Sequence, residues 1–264
     1  YQPLAAQKLH PKKEYAATLL RLDQALLKRQ ITDPSDPAYG AIRCRHCNVL
    51  HTRAAEAVYP FSTGYTINGD TALLQAAIRT GDWLLRQQEA DGSWKETPEE
   101  WTGTTTDQLL MLLLAFDQLG DRLSREQQQS WKQGMDKAAA YLFAVMKPEF
   151  ASINYVATTS ATLAKAGLFF QNNAYLQKAE ALARRTVAKM DEDGFINGEG
   201  GRSHKNKMGV DLGYNMEMSL WGLGLYARLT GDTLVNGYVR RALQNHLYFI
   251  YPDGSLDASW GIRS

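Results

Sequence analysis

"NGDTALLQAAIRTGDWLLRQQEADGSW", residues 68–94, opens at Gly69-Asp70, runs with helical periodicity and closes at the Asp91-Gly92 pair. The same frame returns in "QNNAYLQKAEALARRTVAKMDEDGF" (171–195) and in "TGDTLVNGYVRRALQNHLYFIYPDGSL" (230–256). Asp70 to Asp91 and Asp232 to Asp253 each span 21 residues, and Asn173 to Asp193 spans 20. A fourth, less regular copy opens at Gly120-Asp121 in "LGDRLSREQQQSW". The openings at 70, 121, 173 and 232 fall 51, 52 and 59 residues apart, the size of one αα-hairpin. Repeats of this period build a solenoid or a closed ring of helix pairs. The expected fold is all-α: an α/α toroid, an incomplete ring of antiparallel αα-hairpins with about four to five pairs.

Helical periodicity places helices near 12–30, 52–67, 71–89, 104–118, 124–146, 154–171, 174–190, 214–230 and 233–250. Thr104 with Asp107 and Ser124 with Gln127 both read as capping boxes, and Pro148 and the Asp-Gly pairs supply stops. Junctions entering the "GD" helices are short. Those leaving them, at 91–103, 147–153, 191–213 and 251–264, are long. The long loops therefore gather at one end, each leading into an apolar helix of an inner ring (52–67, 104–118, 154–171, 214–230), and loops on a rigid scaffold are where function sits. A ring of six hairpins would need about 330 residues, whereas the sequence stops at "DASWGIRS". The expectation is one toroid domain over 1–264, either an incomplete ring or a fragment of a longer chain.

With 44% hydrophobic and 22% charged residues, the chain has the proportions of a soluble globular protein. No apolar run approaches the ~20 residues of a membrane helix, and "YQPLAAQKLHPKKEY" lacks the apolar centre of a signal peptide, so none existed or it has been removed. A net charge of +1 argues against a nucleic-acid binder, and two cysteines exclude a disulfide framework. Neither a nucleic-acid nor a membrane partner is expected. Compartment stays open.

Polar residues crowd the starts of the inner helices. "HTRAAEA" carries His51 and Arg53, "EEWTGTTTD" Trp101, Thr104, Thr105 and Asp107, "INYVATTSA" Asn154, Tyr155, Thr158 and Thr159, and "GYNMEMS" Tyr214, Asn215 and Glu217. The loop "GGRSHKNKMG" adds Arg202, His204, Lys205 and Lys207, and Trp94 and Trp260 occupy equivalent ends of two repeats. Taken singly, these are caps, packing aromatics and solvated charges. Together they suit a sugar polymer bearing carboxylates, with aromatic faces for pyranose rings and Arg or Lys for uronate. A polysaccharide or oligosaccharide is the expected partner.

At "INY", "VDLGYNME" and "DGSLDASWG" the sequence resembles the α/α-toroid carbohydrate-active proteins, and more closely the catalytic toroids of polysaccharide lyases, heparinase II/III-like and alginate-lyase-like proteins. The resemblance implies β-elimination on a uronate polymer, no cofactor for the chemistry, a periplasmic or secreted location, and a downstream β domain. It also implies Asn154 as neutraliser of the uronate, with Arg53 or Arg202 assisting, Tyr214 as acid/base, and His204 or His51 as second proton carrier. "RTGDWLLRQQEADGSW" is similar to the Q-and-W repeat of triterpene cyclases, but their Asp-x-Asp-Asp cluster is absent, and that reading is set aside. Two alternatives stand: a glycoside hydrolase using Asp107 and Glu217 with Asp211 third, and a glycan-binding toroid without catalysis.

"CRHCNVLH" places Cys44 and Cys47 as C-x2-C with His46 and His51 nearby. A structural zinc on Cys44, Cys47 and His51, free thiols, and a disulfide are all compatible with that spacing. For zinc, His204, His10 or Asp211 would complete the set.

Overall fold

The structure, a computed structural model, describes residues 10–47, 49–95, 102–149, 152–198, 209–255 and 257. Within these residues the chain is helical, with isolated β-bridges and no strand pairing beyond them. In order it forms α1 (Pro11–Leu27), a 3-10 turn (Thr52–Ala57) running into α2 (Val58–Asn68), α3 (Thr71–Arg86), α4 (Thr102–Leu119) and α5 (Arg125–Val145). There follow α6 (Ile153–Phe170), α7 (Asn173–Val187), α8 (Leu212–Tyr214), a π-helical turn (Asn215–Ser219), α9 (Leu220–Thr230) and α10 (Thr233–His246). These are the helices that periodicity predicts. The exception in detail is the last fully apolar one, which starts at Leu212 and is interrupted by the π-turn.

Local chemistry sets the ends. Asp70, Asn172 and Asp232 cap α3, α7 and α10, each accepting from a backbone N–H of the first turn. The cap of α7 is thus Asn172 and not Asn173, which makes the distance from cap to Asp-Gly 21 residues in all three copies. Ser124 and Gln127 make the reciprocal capping box, each backbone N–H donating to the other's side chain at 3.1 Å. Thr104 does not cap: α4 has already begun, and its hydroxyl donates to the Trp94 carbonyl at 3.3 Å.

Residues 1–88 with 114–133 form one compact unit, and 89–113 with 134–264 a second. In the first, Ile42, Ala57, Phe61, Leu73, Ala76, Ala77 and Leu119 make a continuous core. Trp131 lies against the bare Cα of Gly81 and donates its indole N–H to Asp82 at 2.7 Å.

The second unit contains two kinds of helix. α3 of the first unit and α7 and α10 of the second bury one stripe, as amphipathic helices do. α6 instead is buried on every side from Ile153 to Ala164. Its hydroxyls are satisfied within the helices: Thr159 donates to the Tyr155 carbonyl at 2.6 Å and Thr162 to that of Thr158 at 3.0 Å. Contacts with its neighbours rise together along the chain. Gly103 faces the Tyr155 ring and Thr106 meets Thr159 at 2.9 Å; Asn154 meets Met218 and Gly222 meets Ala157 and Thr158. So α4, α6 and the 212–230 segment run parallel, their starts at the same end. α6 and α7 form an antiparallel hairpin, where Gly167 makes room for Leu176.

Three connecting turns are seated on a neighbouring helix. Gly40 packs against the Arg79 carbonyl of α3, Gly92 against the Lys137 carbonyl of α5, and Gly194 against Ala242 of α10. All three have positive φ, and a Cβ would collide with the neighbouring helix, so glycine is required twice over. Gly254, the corresponding turn after α10, has positive φ but meets nothing within 4 Å.

Candidate active site

The parallel arrangement brings the first turns of α4, α6 and the 212–230 segment to one end of the second unit. Asp211 caps the last of these, accepting from the Tyr214 N–H at 3.1 Å. Beyond it, the π-turn Asn215–Ser219 adds a residue to the helical winding; such turns recur at functional sites because they re-aim side chains. Tyr214, the residue before this turn, is half-buried; on the turn Glu217 is exposed and Met218 points inward. The Asn154 amide donates to the Met218 sulfur at 3.1 Å. Asn154 is therefore a neighbour of the turn that follows Tyr214. Asp107, 7% exposed, belongs to the first turns of α4.

Other expectations are corrected by burial. Trp94 is 1% exposed and its backbone N–H and carbonyl are held by Thr105 and Thr104, so it is a core residue and offers no face to a sugar. Tyr155, 3% exposed, is packed over Gly103. Asn215 is fully buried. Its amide donates to the carbonyls of Ile196 (3.1 Å) and Asp211 (3.0 Å), and its oxygen accepts from the Ile196 N–H at 2.7 Å. It ties the connector near residue 196 to the helix start, with both amide N–H groups used and the side chain closed off from solvent. Thr104, Thr105, Thr158 and Thr159 serve the same packing role. Asn154 is itself 2% exposed. Trp101, Arg202, His204, Lys205, Lys207 and Trp260 lie outside the described residues.

Arg53 belongs to the first unit, where its guanidinium pairs with Glu56 at 3.3 Å. Just before it the thiol cluster forms. Cys44 and Cys47 are free thiols, the Cys47 sulfur is 3.0 Å from Nε2 of His51, and the donor atoms of all three residues lie within 4.8 Å of one another. The backbone N–H of His46, followed by the Cys47 thiol and N–H, lowers the Cys44 thiol to about 7. Sequence reasoning missed the π-turn and Met218's contact with Asn154. Neither has a local signature, since both depend on packing.

Hairpins with fully surrounded helices inside and one-sided helices outside define an α/α-toroid protein. Solved structures of that fold agree. An unsaturated glucuronyl hydrolase from Bacillus sp. GL1 superposes with a TM-score of 0.66 at 15% identity, covering 94% of this chain and 71% of that one. A sugar epimerase from a ruminal bacterium gives 0.65 at 12% identity, covering 88% and 70%. Within this class the chain belongs to the ulvan lyase N-terminal domain family, whose model matches residues 19–264. It is 30% identical over 248 residues to a broad-specificity ulvan lyase of Formosa agariphila, an alignment covering 90% of this chain and 39% of that protein. The chain thus spans about two fifths of the length of that curated relative. Among the described residues no helix is long and apolar enough to cross a membrane.

Proposed function

We propose that this chain is the helical part of a polysaccharide lyase that cleaves a uronate-bearing polymer by β-elimination. In that reaction a base takes the C5 proton, the C4–O bond breaks as a C4=C5 double bond forms, and an acid protonates the departing oxygen. The C5 proton is acidic enough only beside a carboxyl group whose charge is neutralised, so a lyase reading carries a uronate with it. Family membership and the Formosa agariphila relative support the lyase half of this reading.

The observation that carries the residue assignment is the Asn154–Met218 contact at 3.1 Å, which sets an amide donor beside the turn that follows Tyr214. Asn154 is the neutraliser. It is the second residue of α6, where the positive end of the helix favours an anion. A thioether is a weak acceptor on a flexible side chain, so a substrate carboxylate displaces Met218 from the amide. Tyr214 is the acid/base, with Arg202 assisting neutralisation and His204 as second proton carrier. No cofactor is invoked for the chemistry, and action outside the cytoplasm suits a polymer too large to cross a bilayer. Tyr214→Phe and Asn154→Ala should each lower formation of unsaturated product from ulvan by about 10²-fold or more, followed by the absorbance of the new double bond. Full activity in both variants would end the assignment.

A hydrolase reading has one observation in its favour: two carboxyl groups in unlike surroundings, Asp107 nearly buried in the first turns of α4 and Glu217 exposed on the π-turn. Product analysis discriminates, since hydrolysis leaves saturated ends. A toroid that only binds glycan would return the polymer intact.

A further inference from the structure

The cluster at residues 44–51 has no part in the proposed elimination, yet its donor set is specific. Two thiol sulfurs and an imidazole nitrogen converge within 4.8 Å. In a tetrahedral zinc site, Zn–S of ~2.3 Å and Zn–N of ~2.0–2.1 Å place donors roughly 3.6–3.8 Å apart. The three atoms are therefore within about an ångström of metal-binding geometry before any metal arrives. The Cys47–His51 contact at 3.0 Å is shorter than that spacing, as expected where a shared proton occupies the position a cation would take. Soft thiolates with imidazole select zinc over magnesium or calcium, which take oxygen.

The placement within the chain indicates a purpose. His51 is the N-cap residue of the 3-10 turn Thr52–Ala57 that leads into α2, whereas Cys44 and Cys47 lie on the connector that follows α1. The His51 side chain makes no capping hydrogen bond to that turn. We propose that Cys44, Cys47 and His51 form a zinc site that staples this connector to the first turn of the helix it feeds. Cys47 is exposed, and three ligands converge among the described residues. Protein groups hold the earlier part of this connector, where the Gln30 amide donates to the Ala76 carbonyl at 3.0 Å and Gly40 packs against α3. The metal holds its last residues.

The test is metal analysis of the purified protein, with Cys44→Ser and Cys47→Ser alongside. One zinc per chain is expected in the wild type and none in either variant. A chelator should lower the melting temperature of the wild type, added zinc should restore it, and both variants should be insensitive. Cobalt(II) should give a sulfur-to-metal charge-transfer band that vanishes with the cysteines. His51→Cys, which replaces nitrogen by a third sulfur, should retain zinc, whereas His51→Ala should lose it. Zinc that persists in the cysteine variants, a wild type whose thiols react equally fast with and without zinc, or a Cys44–Cys47 disulfide in the purified protein would each overturn the proposal. None of these readouts depends on turnover, so they stand apart from the lyase assignment.

Discussion

Asp23 shows how much one residue can withhold from the folded state. It lies on α1, fully buried, with its carboxylate over the bare Cα of Gly64, where a Cβ would come within 2.3 Å of Oδ2. Neither oxygen has a hydrogen-bond partner among the described residues, and burial pushes the carboxyl up to about 6. The folded state therefore holds a proton between roughly pH 4 and 6 that the unfolded chain has released. The contribution of Asp23 to stability is fully present below the unfolded value, is lost as pH rises to about 6, and is flat above it. Asp23→Asn should stabilise the protein at pH 7 by on the order of 2 kcal/mol, with the gain vanishing near pH 4. Chemical denaturation at both pH values checks this, and an equal effect at the two would refute it. Nothing in the local sequence marks Asp23, because a carboxylate on a helix is ordinarily solvated.

Elements, by contrast, were legible, and the glycines show where legibility stops. Asp70 and Asp232 announce helix starts through chemistry that acts within three residues, and Gly92 and Gly194 announce turns through positive φ. Gly222 and Gly237 look alike in sequence, each a glycine inside a helix, but their surroundings differ. A Cβ on Gly222 would come within 2.9 Å of the α6 backbone at Ala157 and Thr158, whereas one on Gly237 meets nothing within 4 Å. Gly222→Ala should force α9 from α6, an overpacking cost of about 1–3 kcal/mol only partly offset by better helix propensity. Gly237→Ala should gain up to ~1 kcal/mol. Thermal melts would show the first variant below the wild type and the second above it, by ~2–4 °C per kcal/mol. Equal shifts would mean that the close approach of α6 and α9 is absent in solution.

At the scale of the whole molecule, charge limits how an acidic polymer can be recognised. With a net charge of +1 the chain as a whole is nearly neutral, so on the proposed reading selectivity comes chiefly from short-range groups such as the Asn154 amide. On the proposed lyase reading, action on ulvan should then weaken far less between 50 and 200 mM salt than the ~10³–10⁵-fold loss of a protein making six to ten phosphate contacts. A salt titration of KM measures this, and a steep loss would point to a basic surface instead. By itself the amino-acid sequence determined the helices, the hairpin repeat and the common end at which the inner helices start, because caps, turn glycines and periodicity act over a few residues. Tertiary structure alone decided that Trp94, Tyr155 and Asn215 are consumed in packing, that the 212–230 helix winds through a π-turn, and that Asn154 faces Met218. An aromatic ring or an amide has the same identity whether water or protein surrounds it, and only segments distant in the chain settle which.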